Sequence, residues 1–242
     1  MLDIITPSGD RPIQFSLCIE WMKRQKFDGK VHWIIVDDSI KEHYETPEMP
    51  FNWEVTHLKI KNKGLKRSSQ PENVFLALNY VKYDNIVMIE DDDYYCPEWL
   101  EICNNNLLSY DISGRESVIQ YNIKNRTYWD KSYLVKRTNA MAQTSFKSKY
   151  IPRLKEICVK HAEDFDPLLD HHLWCSVEEN RKFFLKKDEK EYVVGIKGLP
   201  GRGGMSNKHD KLLFNFDYDF SFFKKIVGIE IASIYFKAFN IL

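Results

Sequence analysis

Short apolar runs that end in polar, turn-forming residues recur along the first half of the chain. LDIIT opens it and is broken by PSGDRP; VHWIIVDDS, WEVTHLKI and NIVMIE follow. Between these runs the apolar spacing becomes helical. Pro12 suits a first helical turn, and Phe15, Cys18, Ile19 and Met22 then share a face. QPENVFLALNYV puts Val74, Leu78 and Val81 on one side, and CPEWLEICNNNLL starts another helix at Pro97. Near-continuous apolar strands alternating with helices over the first ~110 residues predict a mainly parallel sheet covered on both faces. Ligands of such sheets bind beyond the carboxyl ends of the strands, where TPSGD, DDS and EDDD converge.

The pattern then changes. ESVIQYNIKNRTYWDKSYLVKR alternates as antiparallel strands do, IPRLKEICVKHA and DPLLDHHLWCSVEEN read as helices, and EYVVGIKG reads as a last strand. That strand runs into a loop holding five of the ten glycines, Gly195 to Gly204, which lets backbone N–H groups approach a ligand closely. In the closing run, Ile229, Ala232, Phe236 and Phe239 fall near one helical face. Glu230 and Lys237 interrupt that run, which favours packing on the body of the protein or a partner subunit over a peripheral membrane contact through residues 220–242.

With 242 residues, 43% of them hydrophobic, the chain can bury one large core with a small appendage. Thirty-five basic residues balance 35 acidic ones, which argues against a globally basic nucleic-acid binder without excluding a local patch. Five scattered cysteines with no Cys-x-x-Cys pair read as reduced thiols, and the chain starts directly on a strand. The expected location is therefore cytoplasmic, host cytoplasm for a viral protein.

The apolar strand NIVMIE runs straight into Glu90, Asp91, Asp92 and Asp93. Carboxylates so close repel one another, and a divalent cation is a direct remedy. Magnesium and manganese favour carboxylate oxygens and keep sites for phosphate oxygens. Such a cation then stabilises charge on a diphosphate leaving group. The alternative is an acidic surface turn with Asp91 or Asp93 capping the helix at Pro97. Asp37 and Asp38 end the second strand similarly; one of them accepts hydrogen bonds from a nucleoside's base or ribose, or the pair forms an Asx turn.

Taken in order, IITPSGDRP, WIIVDDS, NKGLKRSSQPENVFLALNYVKYDNIVMIEDDD and VVGIKGLPGRGGMSNKH resemble a GT-A glycosyltransferase of the family 2 type. The likeness covers about residues 2 to 210 and is greatest to small phage, viral and bacterial members. It implies an α/β fold: a GT-A, Rossmann-like, mainly parallel sheet flanked by helices, with a small antiparallel addition and a C-terminal helix. Residues 1–210 form the single domain in this reading, with a nucleotide-sugar half (1–110) and an acceptor half (111–210). Residues 211–242 are a helical extension. The implied activity is transfer of a sugar from a nucleotide-sugar donor to an acceptor hydroxyl, on a glycan or a hydroxylated nucleobase, with Mn2+ or Mg2+. The usual Asp-x-Asp begins here with Glu90, so Glu90 and Asp92 take the two motif places, Asp93 stands adjacent, and Asp92 is the first choice of metal ligand. Asp91 joins the donor-binding set. By the same likeness Thr6, Pro7 and Arg11 line the nucleotide pocket, with Asp37 or Asp38 at base and ribose, and Asn62, Gly64 and Arg67 in the loop near the donor. His209 corresponds to a histidine that completes the metal site in related enzymes.

A one-step displacement at an anomeric carbon inverts configuration and needs a base for the acceptor hydroxyl. DFDPLLDHHLW offers Asp164, Asp166 and Asp170. Asp166 before Pro167 has the pattern of an N-cap and first helical residue. Asp170 falls one turn later, with Trp174 a further turn along. The resemblance selects Asp170, although the usual Glu-Asp pair reads Leu169-Asp170 here; an acid stabilising the helix dipole is the competing role. His171 and His172 flank the helix. Lys197 and Arg202 are candidate diphosphate contacts as the glycine loop closes, or otherwise surface cations. The competing functions are a nucleotidyltransferase, which usually has a more glycine-rich first loop than TPSGDRP, and a catalytically inert nucleotide- or sugar-binding module. A metal-dependent phosphoesterase calls for more histidines near the strand ends.

Overall fold

The computed structural model describes residues 1–62, 69–130, 138–164, 169–187, 191–201 and 215–240, with side chains omitted for 161–164. The apolar runs become the centre of a seven-stranded sheet. Its strands are β1 (Leu2–Ser8), β2 (Val31–Asp37), β3 (Trp53–Lys59), β4 (Asn85–Met88), β6 (Ile112–Arg115), β9 (Ser145–Lys147) and β10 (Lys182–Leu185), in the order β10-β6-β9-β4-β1-β2-β3. The β4-β1-β2-β3 block is parallel, and β9 alone runs antiparallel, between β4 and β6. A second sheet is ordered β12-β8-β7-β11-β5, from β5 (Tyr94–Tyr95), β7 (Ile119–Asn122), β8 (Thr127–Asp130), β11 (Val193–Lys197) and β12 (Asn215–Phe216). In it β7 and β8 form the antiparallel hairpin that the alternating sequence predicts.

The two-residue period of each strand divides the core in two. Leu2 and Ile4, Val31, Trp33 and Ile35, and Val87 and Ile89 face one layer. Ile5, Ile34 and Val36, and Ile86 and Met88 face the other. Helix α1 (Pro12–Lys23) covers the first layer with Phe15, Leu17, Cys18, Trp21 and Met22. Helix α2 (Gln70–Ala77), α4 (Ile151–Asp164) and α5 (Leu169–Cys175) cover the second through Val74, Leu154, Ile157 and Leu173. Helix α3 (Trp99–Asn106) adds Trp99, Leu100 and Cys103 to the first.

The expected C-terminal helix is two helices, α6 (Ser221–Val227) and α7 (Ile229–Ala238), broken at Gly228 with φ 92°. Both pack into the α1 layer through Phe223, Ile226, Ala232, Tyr235 and Phe236, and Trp21 Nε1 donates to the Tyr235 hydroxyl at 3.2 Å. Asp217 starts α6: its carboxylate accepts from the Phe222 and Phe223 amides at 3.0 and 2.9 Å and from the Tyr121 hydroxyl at 2.8 Å. No described helix is long and apolar enough to cross a membrane. None of the five cysteines is in a disulfide, and four of them are buried.

Candidate active site

The parallel strands end together. Ser8 of β1 lies opposite Asp37 of β2, and Ile5 opposite Met88 of β4, so the turn after β4 emerges beside the loop after β1. The four acids occupy that turn, and β5, immediately beyond it, pairs with β11, so the turn is held between both sheets. The Glu90 amide donates to the Tyr95 hydroxyl at 2.8 Å. The Asp93 carboxylate accepts from the Ile196 amide at 3.1 Å, and Glu90 from Gln70 Nε2 at 3.0 Å.

Glu90, Asp92 and Asp93 each offer one oxygen, and these oxygens lie within 4.8 Å of one another; no other set of three such groups occurs among the described residues. Among the described residues two cations approach the cluster. Arg11 Nη1 is 2.8 Å from Asp91 Oδ1 and 3.3 Å from Asp92 Oδ2. Lys197 Nζ is 3.3 Å from Asp92 Oδ2 and 3.1 Å from Asp93 Oδ1. Ser8 Oγ donates to the second oxygen of Asp91. These six side chains count formally as four acids and two bases.

Their crowding shows in the ionisation of the acids. Burial pushes the Glu90 carboxyl up, with Asp92 adding to the push. Burial pushes Asp91 up to about 6 against the pull of Arg11, and raises Asp93 well above the carboxylate range despite Lys197. Asp92 alone is held below its ordinary value: burial opposes its charge, but Lys197 and Arg11 outweigh that. Burial opposes the charges of Lys197 and Arg11 too, and the acids more than reverse it. An oxygen-only donor set of crowded carboxyl groups suits a hard divalent cation such as Mg2+ or Mn2+.

The remaining sequence-predicted residues divide. Pro7 sits half-buried near the end of β1. The Thr6 side chain is fully buried and accepts from Trp33 Nε1 at 2.9 Å, so its oxygen serves the core. Asp37 also turns inward: its Oδ1 accepts from the Ser39 amide and hydroxyl at 2.9 and 2.6 Å, and its Oδ2 from the Tyr44 amide at 2.7 Å. His43 Nδ1 lies 3.2 Å and His57 Nε2 3.8 Å from that Oδ2. Burial opposes the charge of Asp37, but these partners hold its pKa well below the ordinary value. Asp38, the next residue, is buried as well and accepts from Asn62 Nδ2 at 2.8 Å. Gly64, Arg67, Arg202 and His209 lie outside the described residues, as does Asp166.

Asp170 is the second residue of α5 and accepts from the His171 amide at 2.8 Å. Burial raises its pKa, partly offset by backbone donors, the Met141 amide among them. The short turn Met141–Gln143 packs on β4, β6 and β11, so its contact draws Asp170 towards the sheet. Trp174, one turn on, is buried and donates to Thr144 Oγ1 at 3.0 Å.

Four contributors escape sequence reasoning: Ser8 and Gln70, which hold two of the acids; Tyr95, beneath Glu90; and Tyr44. The Tyr44 hydroxyl accepts from the Arg11 amide, and its ring stacks on Phe15 at 4.5 Å between centroids. It falls in a polar stretch without periodicity, so only its being the lone aromatic between β2 and Phe51 marks it.

Solved structures share this architecture. S. aureus TarS superposes with a TM-score of 0.52 at 14% identity, over 81% of this chain and 36% of that one. TarS 1–349 in complex with UDP-GlcNAc gives 0.51 at 15% identity, over 87% and 61%, and the complex with UDP gives 0.50 at 13%, over 81% and 60%. The protein therefore has a GT-A-like fold. It spans less than two thirds of the length of each of these chains. No protein-family model and no curated protein sequence matches it.

Proposed function

We propose that this protein is a glycosyltransferase that moves a sugar from a nucleotide-sugar donor to an acceptor hydroxyl, with inversion and with Mn2+ or Mg2+. One observation carries the reading: three carboxylates within 4.8 Å stand with Arg11 and Lys197 at the carboxyl edge of the parallel sheet, where such folds bind ligands. A bound divalent cation there supplies charge stabilisation for the departing diphosphate.

The chain's own groups fill the other roles. Glu90, Asp92 and Asp93 hold the cation, with His209 as a further ligand. Arg11 and Lys197 sit where a diphosphate meets the acids, and Arg202 joins them from the glycine loop. Asp38 and Asn62, next to the saturated Asp37, face the nucleoside with Gly64 and Arg67. Asp170 takes the acceptor hydroxyl's proton; its raised pKa suits a base that must both gain and release a proton. The TarS complex makes UDP-GlcNAc the first donor to try. Thermal-shift and turnover measurements over a panel of nucleotide sugars, with and without Mn2+, test the proposal. A glycosyltransferase releases nucleoside diphosphate slowly even with water as acceptor. Release of pyrophosphate, or binding with no turnover under any acceptor, contradicts it.

A further inference from the structure

The Lys197 ammonium lies against two of the three carboxylates that would hold a divalent cation, 3.3 Å from Asp92 and 3.1 Å from Asp93. It is 92% buried, so it is an internal charge held against these acids. A cation entering between Asp92 and Asp93 meets a positive charge within contact distance of its own ligands. Both cannot bind the same oxygens at full strength.

The surroundings give Lys197 somewhere else to go. It is the last residue of β11, followed by Gly198 with φ 80°. The next residues fold back over the loop after β1: Gln14 Nε2 donates to the Pro200 carbonyl, and a Cβ on Gly201, at φ 111°, would stand 2.7 Å from the Asp10 carbonyl oxygen. The backbone is thus pinned on both sides, while the lysine stem keeps four rotatable bonds. A diphosphate laid between Arg11 and the acids offers the ammonium a new anionic partner without moving the strand.

Resting on the proposed function, we infer that Lys197 is a built-in competitor of the divalent cation, which leaves Asp92 and Asp93 for the diphosphate when donor arrives. Free metal is therefore taken up weakly, and metal and nucleotide strengthen each other's binding. Such coupling is reciprocal, so it is measurable from either ligand.

The test is Mn2+ binding, read by paramagnetic resonance of the free ion, to the wild type and to Lys197→Gln, with and without UDP. The inference predicts that Lys197→Gln binds Mn2+ alone at least tenfold more tightly than the wild type. It also predicts that UDP tightens Mn2+ binding at least tenfold in the wild type and no more than threefold in the variant. Equal or weaker Mn2+ binding by a folded Lys197→Gln overturns the competition and leaves the glycosyltransferase reading intact. Should the variant not fold, the wild type decides: Mn2+ affinity unchanged by UDP overturns the inference. Mn2+ uptake by neither protein in any condition overturns it together with the metal site, whereas sugar-nucleotide turnover without metal would still leave the transferase standing.

Discussion

Asp92→Asn separates what the acidic turn does for the fold from what it does for ligands. In the folded chain the Asp92 carboxylate touches Arg11 and Lys197, both at 3.3 Å, and belongs to the three-oxygen set. The amide keeps the shape and removes one negative charge from the cluster. At 4 Å and an effective dielectric of 20, a pair of unit charges is worth about 4 kcal/mol. Losing that attraction weakens a bound divalent cation by roughly a thousandfold. In the fold two effects oppose each other: Arg11 and Lys197 lose a partner, but Asp92 also pushes up the pKa of Glu90, Asp91 and Asp93, and removing it relieves them. Calorimetric titration of Mn2+ at saturating UDP reads the first effect, and thermal melting followed by circular dichroism reads the second. A melting temperature within a few degrees of wild type and metal affinity down by two orders of magnitude or more is expected. Metal affinity within threefold of wild type would refute the assignment of Asp92 as a ligand.

Three further substitutions probe other parts of the account. Asp170→Asn should lower donor turnover 100- to 10,000-fold without changing donor affinity, the usual worth of a positioned base; in the wild type, turnover should rise with pH through a value above the ordinary aspartate pKa, since burial raises that of Asp170 and only the carboxylate accepts a proton. Asp217→Ala should cost about 2–4 kcal/mol in denaturant unfolding, because it removes the start of α6 and leaves the buried Tyr121 hydroxyl short of its acceptor. Asp37→Asn should cost about 2–3 kcal/mol, since an amide cannot accept on both oxygens from Ser39 and Tyr44. The Asp37 pKa is depressed in the fold, so its contribution is present above the unfolded value of about 3.9 and lost as pH falls; urea unfolding of Asp37→Asn should lack that acid-side loss, and a parallel loss in both proteins would argue against the internal role.

The legible parts of this fold are those where burial leaves a long signal. β1, β2 and β4 are apolar on both faces and are plain in the sequence, as are the helices that cover them. β6, β9 and β10 are not, because ISGR, SFK and KFFL are three or four residues long and take their identity from neighbouring strands rather than from any period of their own. At the site, the acids announce themselves by crowding, but which way a side chain turns is set by tertiary partners. Asp37 and Asp38 are adjacent, chemically identical and both buried, yet Ser39 and Tyr44 occupy the oxygens of the first while Asn62 donates to the second. Lys197 reads in sequence as a phosphate contact, and only the pairing of β5 with β11 reveals that it rests on Asp92 and Asp93.

Calorimetric titration of UDP-GlcNAc into the wild-type protein, with and without saturating Mn2+, probes the centre of this account. Binding that Mn2+ tightens at least tenfold is the predicted result. A folded protein that takes up neither the ion nor any sugar nucleotide would contradict it.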